Sequence, residues 1–167
     1  MTRVQLCSGL LLRGDRLLLV CVRYRDQLAP LWTLPGGQQE SGETIAQTVV
    51  REFFEETGLS VRAAALEYAS ESQDPQRDLH IINCTFRMVE RGPERGPKPR
   101  DPAIVEARFV PAAEAPDLLK ADVLRIPVAA ALAGDSHPRY FFFSPDSIVM
   151  PFFAQPPAGE KVQPRDT

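Results

Sequence analysis

The amino-acid sequence predicts an α/β fold, with helices packed on a β-sheet, from three patterns. Leu17 to Val22 is continuously apolar, which is typical of a strand buried on both faces in the middle of a covered sheet. Thr44 to Thr57 has apolar residues at helical spacing and predicts an amphipathic helix. Leu79 to Glu90 alternates its side chains with a period of two, which predicts a half-exposed strand.

Length and composition fit a single folded domain. The chain has 167 residues, of which 44% are hydrophobic and 25% charged, and its net charge is −3. We expect one domain over residues 1–153 and a disordered, proline-containing tail over residues 154–167. The mild acidity argues against a nucleic-acid polymer as partner.

The first elements are strands. The strand candidates before the helix are Val4 to Leu12, Arg16 to Arg23 and Leu31 to Leu34. Between the first two, Arg13-Gly14-Asp15 predicts a hairpin, because glycine supplies the positive φ of a tight turn. Tyr24 to Pro30 is largely polar and predicts a loop.

The second half adds strands and two helices. Strands are predicted at Val61 to Ser70, Leu79 to Glu90 and Ile104 to Val110, and helices at Ala112 to Lys120 and Val123 to Ala133. Pro127 is expected to interrupt the second of these helices near its start. Further on, six aromatic residues are expected to cap the core or, alternatively, to form a homodimer contact or a base-stacking wall; they are Tyr140, Phe141, Phe142, Phe143, Phe152 and Phe153.

The cysteines and the N-terminus favour a cytoplasmic protein. Cys7, Cys21 and Cys84 are odd in number and scattered through apolar runs, so they predict buried thiols rather than disulfides or a zinc site. The N-terminus lacks the long apolar run of a signal peptide, and no segment is long and apolar enough for a membrane span. We therefore expect no membrane partner.

The helix at Thr44 to Thr57 carries more acid than folding requires. Glu52, Glu55 and Glu56 are spaced as i, i+3 and i+4, so their carboxylates project from one patch, with Arg51 placed to pair with Glu55. Gly58 predicts the end of the helix, where the macrodipole disfavours negative charge. Clustered carboxylates are the ligands of hard cations such as Mg²⁺ or Mn²⁺, which in turn suggests a phosphate-bearing substrate.

The stretch Gly37 to Leu59 resembles the signature of the Nudix hydrolases. That signature is glycine, five residues, glutamate, seven residues, Arg-Glu-apolar, one residue, Glu-Glu, one residue and Gly-apolar. Every fixed position is filled, by Gly37, Glu43, Arg51, Glu52, Phe53, Glu55, Glu56, Gly58 and Leu59. A chance match somewhere in the chain has odds of about one in ten million.

The resemblance implies a fold, an activity and a cofactor. The fold would be an α/β/α sandwich with a mixed, mostly antiparallel central sheet. The activity would be Mg²⁺-dependent hydrolysis of a pyrophosphate bond in a small nucleotide, namely a nucleoside diphosphate linked to a sugar (as in ADP-ribose), to further phosphates or to a second nucleoside. The alternative is a catalytically silent module of the same fold that senses nucleotides.

The resemblance also assigns roles to residues. Glu52, Glu55 and Glu56 would ligate Mg²⁺, with Glu43 and the Gly37 carbonyl contributing, and Arg51 would orient the carboxylates. That adds up to a metal set of Gly37, Glu43, Glu52, Glu55 and Glu56 and a catalytic set of Glu55, Glu52, Glu56 and Arg51.

The general base has more than one candidate. Glu55 is the first. Other family members use a glutamate from a later Asp-Glu-Ile-x-Glu-Ala-Arg-aromatic segment, which Pro102 to Phe109 matches only in part. Pro102 and Ala103 stand where the two acids often occur, and Glu106 remains.

Three further features have two interpretations each. Arg91 to Pro102 predicts either a solvated hairpin connection or a mobile basic flap that contacts substrate phosphates through Arg95, Lys98 or Arg100. Trp32 is expected in the core rather than as a stacking platform. His80 and His137 each lack a ligand-spaced partner and are expected to be structural.

Overall fold

The computed structural model describes residues 1–24, 28–134 and 139–144. His137, Phe152, Phe153 and the predicted tail at 154–167 lie outside the described residues, as do positions 25–27 of the predicted polar loop. In chain order the elements are β1 (Thr2–Leu10), β2 (Leu12–Arg13), β3 (Arg16–Val22), β4 (Leu31–Thr33), β5 (Gly36–Gln38), α1 (Ile45–Thr57), β6 (Val61–Asp74), β7 (Leu79–Glu90), β8 (Ile104–Pro111), α2 (Ala115–Leu118), α3 (Asp122–Leu132) and β9 (Arg139–Phe143).

The strands are divided between two sheets. The five-stranded sheet has the order β5-β1-β7-β6-β9, in which β1 pairs with β7, and β6 with β9, in parallel. Its other pairs are antiparallel, as are those of the second sheet, in which β3 pairs with β2, β4 and β8. The predicted α/β fold with a mixed, mostly antiparallel arrangement of strands is confirmed.

The central strand β3 is buried on both faces, as its continuous apolar run predicts. Leu18 packs in a cluster with Val49 and Phe53 of α1. The neighbouring Leu17 and Leu19 join a second cluster, which includes residues of α2 and α3. Because adjacent side chains of a strand point to opposite faces, β3 is covered by α1 on one side and by α2 and α3 on the other.

The two C-terminal helices differ from their predicted extents. Helix α2 has only four residues, because Pro116 has no N–H and must lie in the first turn, while Leu119 is already extended. The expected interruption of α3 at Pro127 is wrong, since the helix continues through it to Leu132. Pro127 removes one hydrogen bond, and the burial of Val128 and Ala131 in the core offsets that loss.

Strand β9 presents its aromatic residues alternately to the core and to solvent. Phe141 packs edge-on against Tyr68, with ring centroids 5.9 Å apart, and Phe143 is buried. Tyr140 and Phe142 are 62% and 52% exposed. Core capping therefore accounts for two of the four described aromatics.

The cysteine thiols are free, as predicted. Cys7 and Cys21 are buried and Cys84 is half-buried. Burial raises the pKa of the Cys7 thiol to about 11, so it is a poor nucleophile.

Among the described residues, none of the helices is both long and apolar enough to span a membrane.

Candidate active site

Helix α1 begins and ends where its sequence signals place it. The Thr44 side chain accepts a hydrogen bond from the Gln47 N–H at 3.2 Å, and the Gln47 side chain accepts one from the Thr44 N–H at 2.8 Å. This reciprocal capping box fixes the first turn. At the other end Gly58 has a φ of 69°, which glycine adopts without strain, and it ends the helix.

Arg51 joins the acidic residues of α1 to the loop before it. Its guanidinium donates to both carboxylate oxygens of Glu43, at 2.7 and 3.0 Å, and to Glu52 at 2.8 Å. The predicted pair with Glu55 is longer, at 3.5 Å. The hydrogen bond from Arg51 holds the pKa of the Glu43 carboxyl at about 2. Arg51 thus fixes Glu43 and Glu52 on either side of itself.

Glu56 is a buried carboxylate without a cationic partner in the described part of the chain. It is 5% exposed, and its one hydrogen bond is accepted from the Gly36 N–H at 2.8 Å. Burial raises its pKa to about 8, the Gly36 N–H lowers it, and the negative charges of Glu52, Asp101 and Glu55 raise it further. An ionised Glu56 is therefore unfavourable in this environment unless a cation approaches it.

Glu52 lies directly against the backbone of β5. A Cβ added to Gly37 would lie 2.5 Å from Glu52 Oε1, so a side chain at Gly37 would displace the carboxylate. Burial raises the pKa of Glu52, although Arg51 opposes the shift. The glycine is required here because of this close approach, and not for its φ.

Glu55 is arranged differently from the other two glutamates. Its side chain is 48% exposed. Its backbone carbonyl accepts hydrogen bonds from the N–H groups of Arg100 and Asp101, at 2.9 and 3.1 Å. The loop between β7 and β8, residues 91–103, is thereby attached to the last turn of α1.

Asp101 and Tyr24 are residues near the site that sequence reasoning missed. The Asp101 N–H donates to the Glu55 carbonyl at 3.1 Å, and the charge of Asp101 raises the pKa of both Glu52 and Glu56, so it lies near the α1 carboxylates. Partial burial, followed by the charges of Glu56, Glu52 and Asp101, raises the pKa of the Tyr24 phenol. Asp101 directly precedes Pro102, the first of the two positions where the family pattern often has acids. An acid one position early was the signal in the sequence that could have identified it.

The substrate-contact candidates of the β7–β8 loop are separated from Glu52 and Glu56. Arg95 and Arg100 line a groove beside Phe54 and Leu59. At about 100° per residue, Phe54 points about 160° away from both Glu52 and Glu56 around α1. Lys98 is exposed, and its N–H donates to the Thr57 carbonyl at 2.7 Å.

The remaining candidates have local partners. Glu106 of β8 pairs with Arg108 at 3.2 Å, and the Arg108 guanidinium stacks 4.8 Å from the ring of Trp32. Trp32 is partly buried against the core, as predicted. His80 lies 2.6 Å from Glu71, which also accepts a hydrogen bond from Tyr140.

The carboxylates around α1 are the type of ligand that a divalent cation prefers, although they are not arranged as a ligand cage. Within residues 1–24, 28–134 and 139–144, no group of three or more His, Cys, Asp or Glu side chains stands in a metal-holding geometry. Arg51 takes up the oxygens of Glu43 and one of Glu52. Glu56 and Asp101 nevertheless add buried or half-buried carboxyl groups, whose ionised forms a hard cation would stabilise.

Comparisons with known proteins place the chain in a family. The model of the NUDIX domain matches residues 4–132. An ADP-ribose pyrophosphatase of Methanocaldococcus jannaschii is 35% identical over 89 residues, which are 52% of this chain and 51% of that protein. An 8-oxo-dGTP diphosphatase of Escherichia coli is 33% identical over 92 residues, 54% of this chain and 69% of that protein. The match thus spans about half the length of the archaeal relative.

The fold has solved counterparts. The crystal structure of a NUDIX hydrolase from Nitrosomonas europaea aligns with a TM-score of 0.67 at 18% identity, covering 86% of this chain and 80% of that one. At this identity the likeness concerns the fold alone. Since the domain model covers most of the sequence, and the capped helix α1 carries the complete signature, this chain belongs to the Nudix family.

Proposed function

We propose that the protein hydrolyses a pyrophosphate bond in a nucleoside diphosphate linked to another group, with Mg²⁺ held by the carboxylates of α1. The observation that carries this proposal is Glu56, which is buried, lacks a cationic partner among the described residues and lies near the charges of Glu52 and Asp101. Folding alone does not favour such a concentration of negative charge. A bound cation would relieve it.

The residues have distinct proposed roles. Glu52, Glu55 and Glu56 would hold the ion together with the Gly37 carbonyl, and Glu43 would contribute chiefly by holding Arg51. A divalent ion bound there would neutralise phosphate charge and lower the pKa of a coordinated water. Arg51 keeps Glu52 directed towards β5, and the missing Cβ of Gly37 leaves room for it.

Two carboxylates are candidates for accepting the proton of the attacking water. Glu55 is the first, because its side chain reaches solvent while its backbone is fixed by the β7–β8 loop. Asp101 is the second. It would replace the acids that the family often has at the positions of Pro102 and Ala103. The Asp101 N–H on the Glu55 carbonyl, at 3.1 Å, places both residues at the same end of α1.

The named activities of the two relatives guide the choice of substrate. ADP-ribose and 8-oxo-dGTP both contain a nucleoside diphosphate joined to a further group. We extend this class to this chain, with ADP-ribose-like compounds and nucleoside triphosphates tested first and dinucleoside polyphosphates afterwards.

The test compares Glu56→Gln with Glu114→Gln, a change of an exposed glutamate at the start of α2. Purified proteins are incubated with the substrate panel and excess Mg²⁺, and the products are identified. We expect Glu56→Gln to fold and to lose turnover by roughly 10²-fold or more, while Glu114→Gln retains it. Chelating the metal should abolish turnover in the unmodified protein.

Two outcomes would contradict this proposal. Full turnover by Glu56→Gln in excess Mg²⁺ would remove the α1 carboxylates from the chemistry. Tight nucleotide binding without product, in either Mg²⁺ or Mn²⁺, would identify the protein as a nucleotide-sensing module instead.

A further inference from the structure

A groove lies on the side of α1 that faces away from Glu52 and Glu56. It is bounded by the C-terminal end of α1, the short connection from α1 to β6, the end of β7 and the β7–β8 loop, and it encloses about 290 Å³. Its lining includes Phe54, Leu59, Arg91, Arg95 and Arg100. Nothing in the proposed hydrolysis uses this groove.

The groove has an excess of positive charge. Three arginines line it together with one acid, Glu90, which already accepts hydrogen bonds from Nε and Nη2 of Arg13, at 3.0 and 2.6 Å. Among the described residues, the guanidinium groups of Arg91 and Arg95 form no ion pair or hydrogen bond. In a chain whose net charge is −3, this local concentration of unpaired cations is unusual.

An exposed aromatic ring forms part of the same surface. Phe54 is 38% exposed, and the Arg100 guanidinium lies 4.2 Å above its ring. A guanidinium held flat on a ring offers its other face to a planar group and its edge to an anion.

The loop that supplies the arginines is fixed through its backbone. The N–H groups of Arg91, Lys98 and Arg100 donate to carbonyls of Ser60, Thr57 and Glu55, at 2.8, 2.7 and 2.9 Å. Two of these bonds reach carbonyls in the last turn of α1, those of Thr57 and Glu55, and both use backbone N–H groups, which leaves the arginine side chains free of that task. A fixed backbone also lowers the entropic cost of ordering the loop when a ligand binds.

We propose that this groove binds a phosphate group of a ligand separate from the substrate on the acidic face. Arg91 and Arg95 would pair with the phosphate oxygens, because a planar guanidinium matches a phosphate in two parallel hydrogen bonds. The layer formed by Phe54 and Arg100 would accept a planar base where the phosphate belongs to a nucleotide. Free phosphate and a nucleotide both carry this group, and the test below distinguishes the two ligands.

The experiment measures binding in the absence of any divalent metal. Inorganic phosphate, AMP and adenosine are titrated calorimetrically into the full chain and into an Arg91→Gln/Arg95→Gln double variant. The matched control is Arg62→Gln, which removes an exposed arginine of β6 outside the groove. Circular dichroism checks that each variant is folded.

We expect phosphate and AMP to bind the unmodified protein and the control alike. The double variant should bind about 10- to 100-fold more weakly, and added salt should weaken the binding that remains. AMP binding tighter than phosphate would assign a base to the Phe54 and Arg100 layer, whereas equal affinities would assign the phosphate group alone. In both cases the groove is the site.

Three results would overturn the inference. They are the absence of saturable phosphate or AMP binding, equal affinities in the folded double variant and the unmodified protein, and AMP-induced amide NMR shifts confined to Gly36–Gln38 and Glu52–Glu56. The binding test measures no turnover, so it remains valid if the protein proves inactive. Conversely, a groove that binds no ligand would not contradict the proposed hydrolysis.

Discussion

The two sides of helix α1 carry opposite charge. On one side Glu52, Glu56 and Asp101 are buried or half-buried near one another, with Arg51 as the compensating cation. On the other side, Arg91 and Arg95 are exposed and without acidic partners among the described residues. The width of one helix therefore separates the cation site that we propose from the proposed anion site.

This difference would allow one helix to serve the two kinds of ligand that we propose. The acidic side is built from the helix itself, because i, i+3 and i+4 spacing brings glutamates together. The basic side is supplied by the β7–β8 loop, whose backbone is attached to the end of α1 at Glu55 and Thr57. The acidic side is buried and sensitive to pH, whereas the basic side is exposed and sensitive to salt.

The largest expected effect tests the burial of Glu56. Its pKa of about 8 in the fold lies above the ordinary value of 4.5, so the folded state binds the proton more tightly than the unfolded state. This contribution to stability is complete below pH 4.5 and is lost as the pH rises to about 8. In chelator, Glu56→Gln should therefore be more stable than the unmodified protein above pH 8, by up to about 5 kcal/mol.

Urea unfolding at a series of pH values measures this effect. The stability of the unmodified protein should fall between pH 4.5 and about pH 8, and Mg²⁺ should restore it. Glu114→Gln should follow the unmodified protein at every pH. If Glu56→Gln falls in parallel with them, Glu56 is not a strained carboxylate, and the contrast between the two sides of α1 loses its energetic basis.

The next effect concerns Asp101 and would define the limits of the acidic side. Asp101→Asn keeps the shape of the side chain and its acceptor oxygen for the Ala103 N–H, but removes its charge. We expect kcat to drop roughly 10- to 100-fold, because the acidic side loses either a base or a charge that directs the metal.

The pH dependence of kcat separates these two roles. Loss of a base shifts or removes the acidic limb of the profile in Asp101→Asn but leaves it in Glu55→Gln, and the reverse pattern assigns the base to Glu55. Unchanged kcat and an unchanged profile in Asp101→Asn would exclude Asp101 from the site.

The smallest effect tests how the basic side is attached. Arg100→Ala removes the guanidinium above Phe54 and should lower the free energy of unfolding by about 0.5–1 kcal/mol, since the backbone bonds of the loop remain. Arg108→Ala, which removes a similar stack on Trp32 together with an exposed ion pair to Glu106, is the control. A loss from Arg100→Ala several times that of the control would show that the loop depends on this side chain to stay docked.

The chemistry of α1 was predictable because it is local. Periodicity placed Glu52, Glu55 and Glu56 on one patch, and the Thr44 and Gly58 signals gave both ends of the helix. The metal and catalytic assignments of these residues remain predictions. The interruption expected at Pro127 failed because packing of the neighbouring residues outweighed one lost hydrogen bond.

The sequence by itself therefore determined the family signature, the helix that carries it and the strand β3 that is buried on both faces. Only the tertiary structure decided that Asp101 lies near Glu52 and Glu56, and that Arg95 and Arg100 line a groove on the opposite side. The physical reason is the β7–β8 loop, whose prolines and glycines have no periodicity from which its path can be read. Hydrogen bonds to the last carbonyls of α1, more than thirty residues earlier in the chain, determine that path.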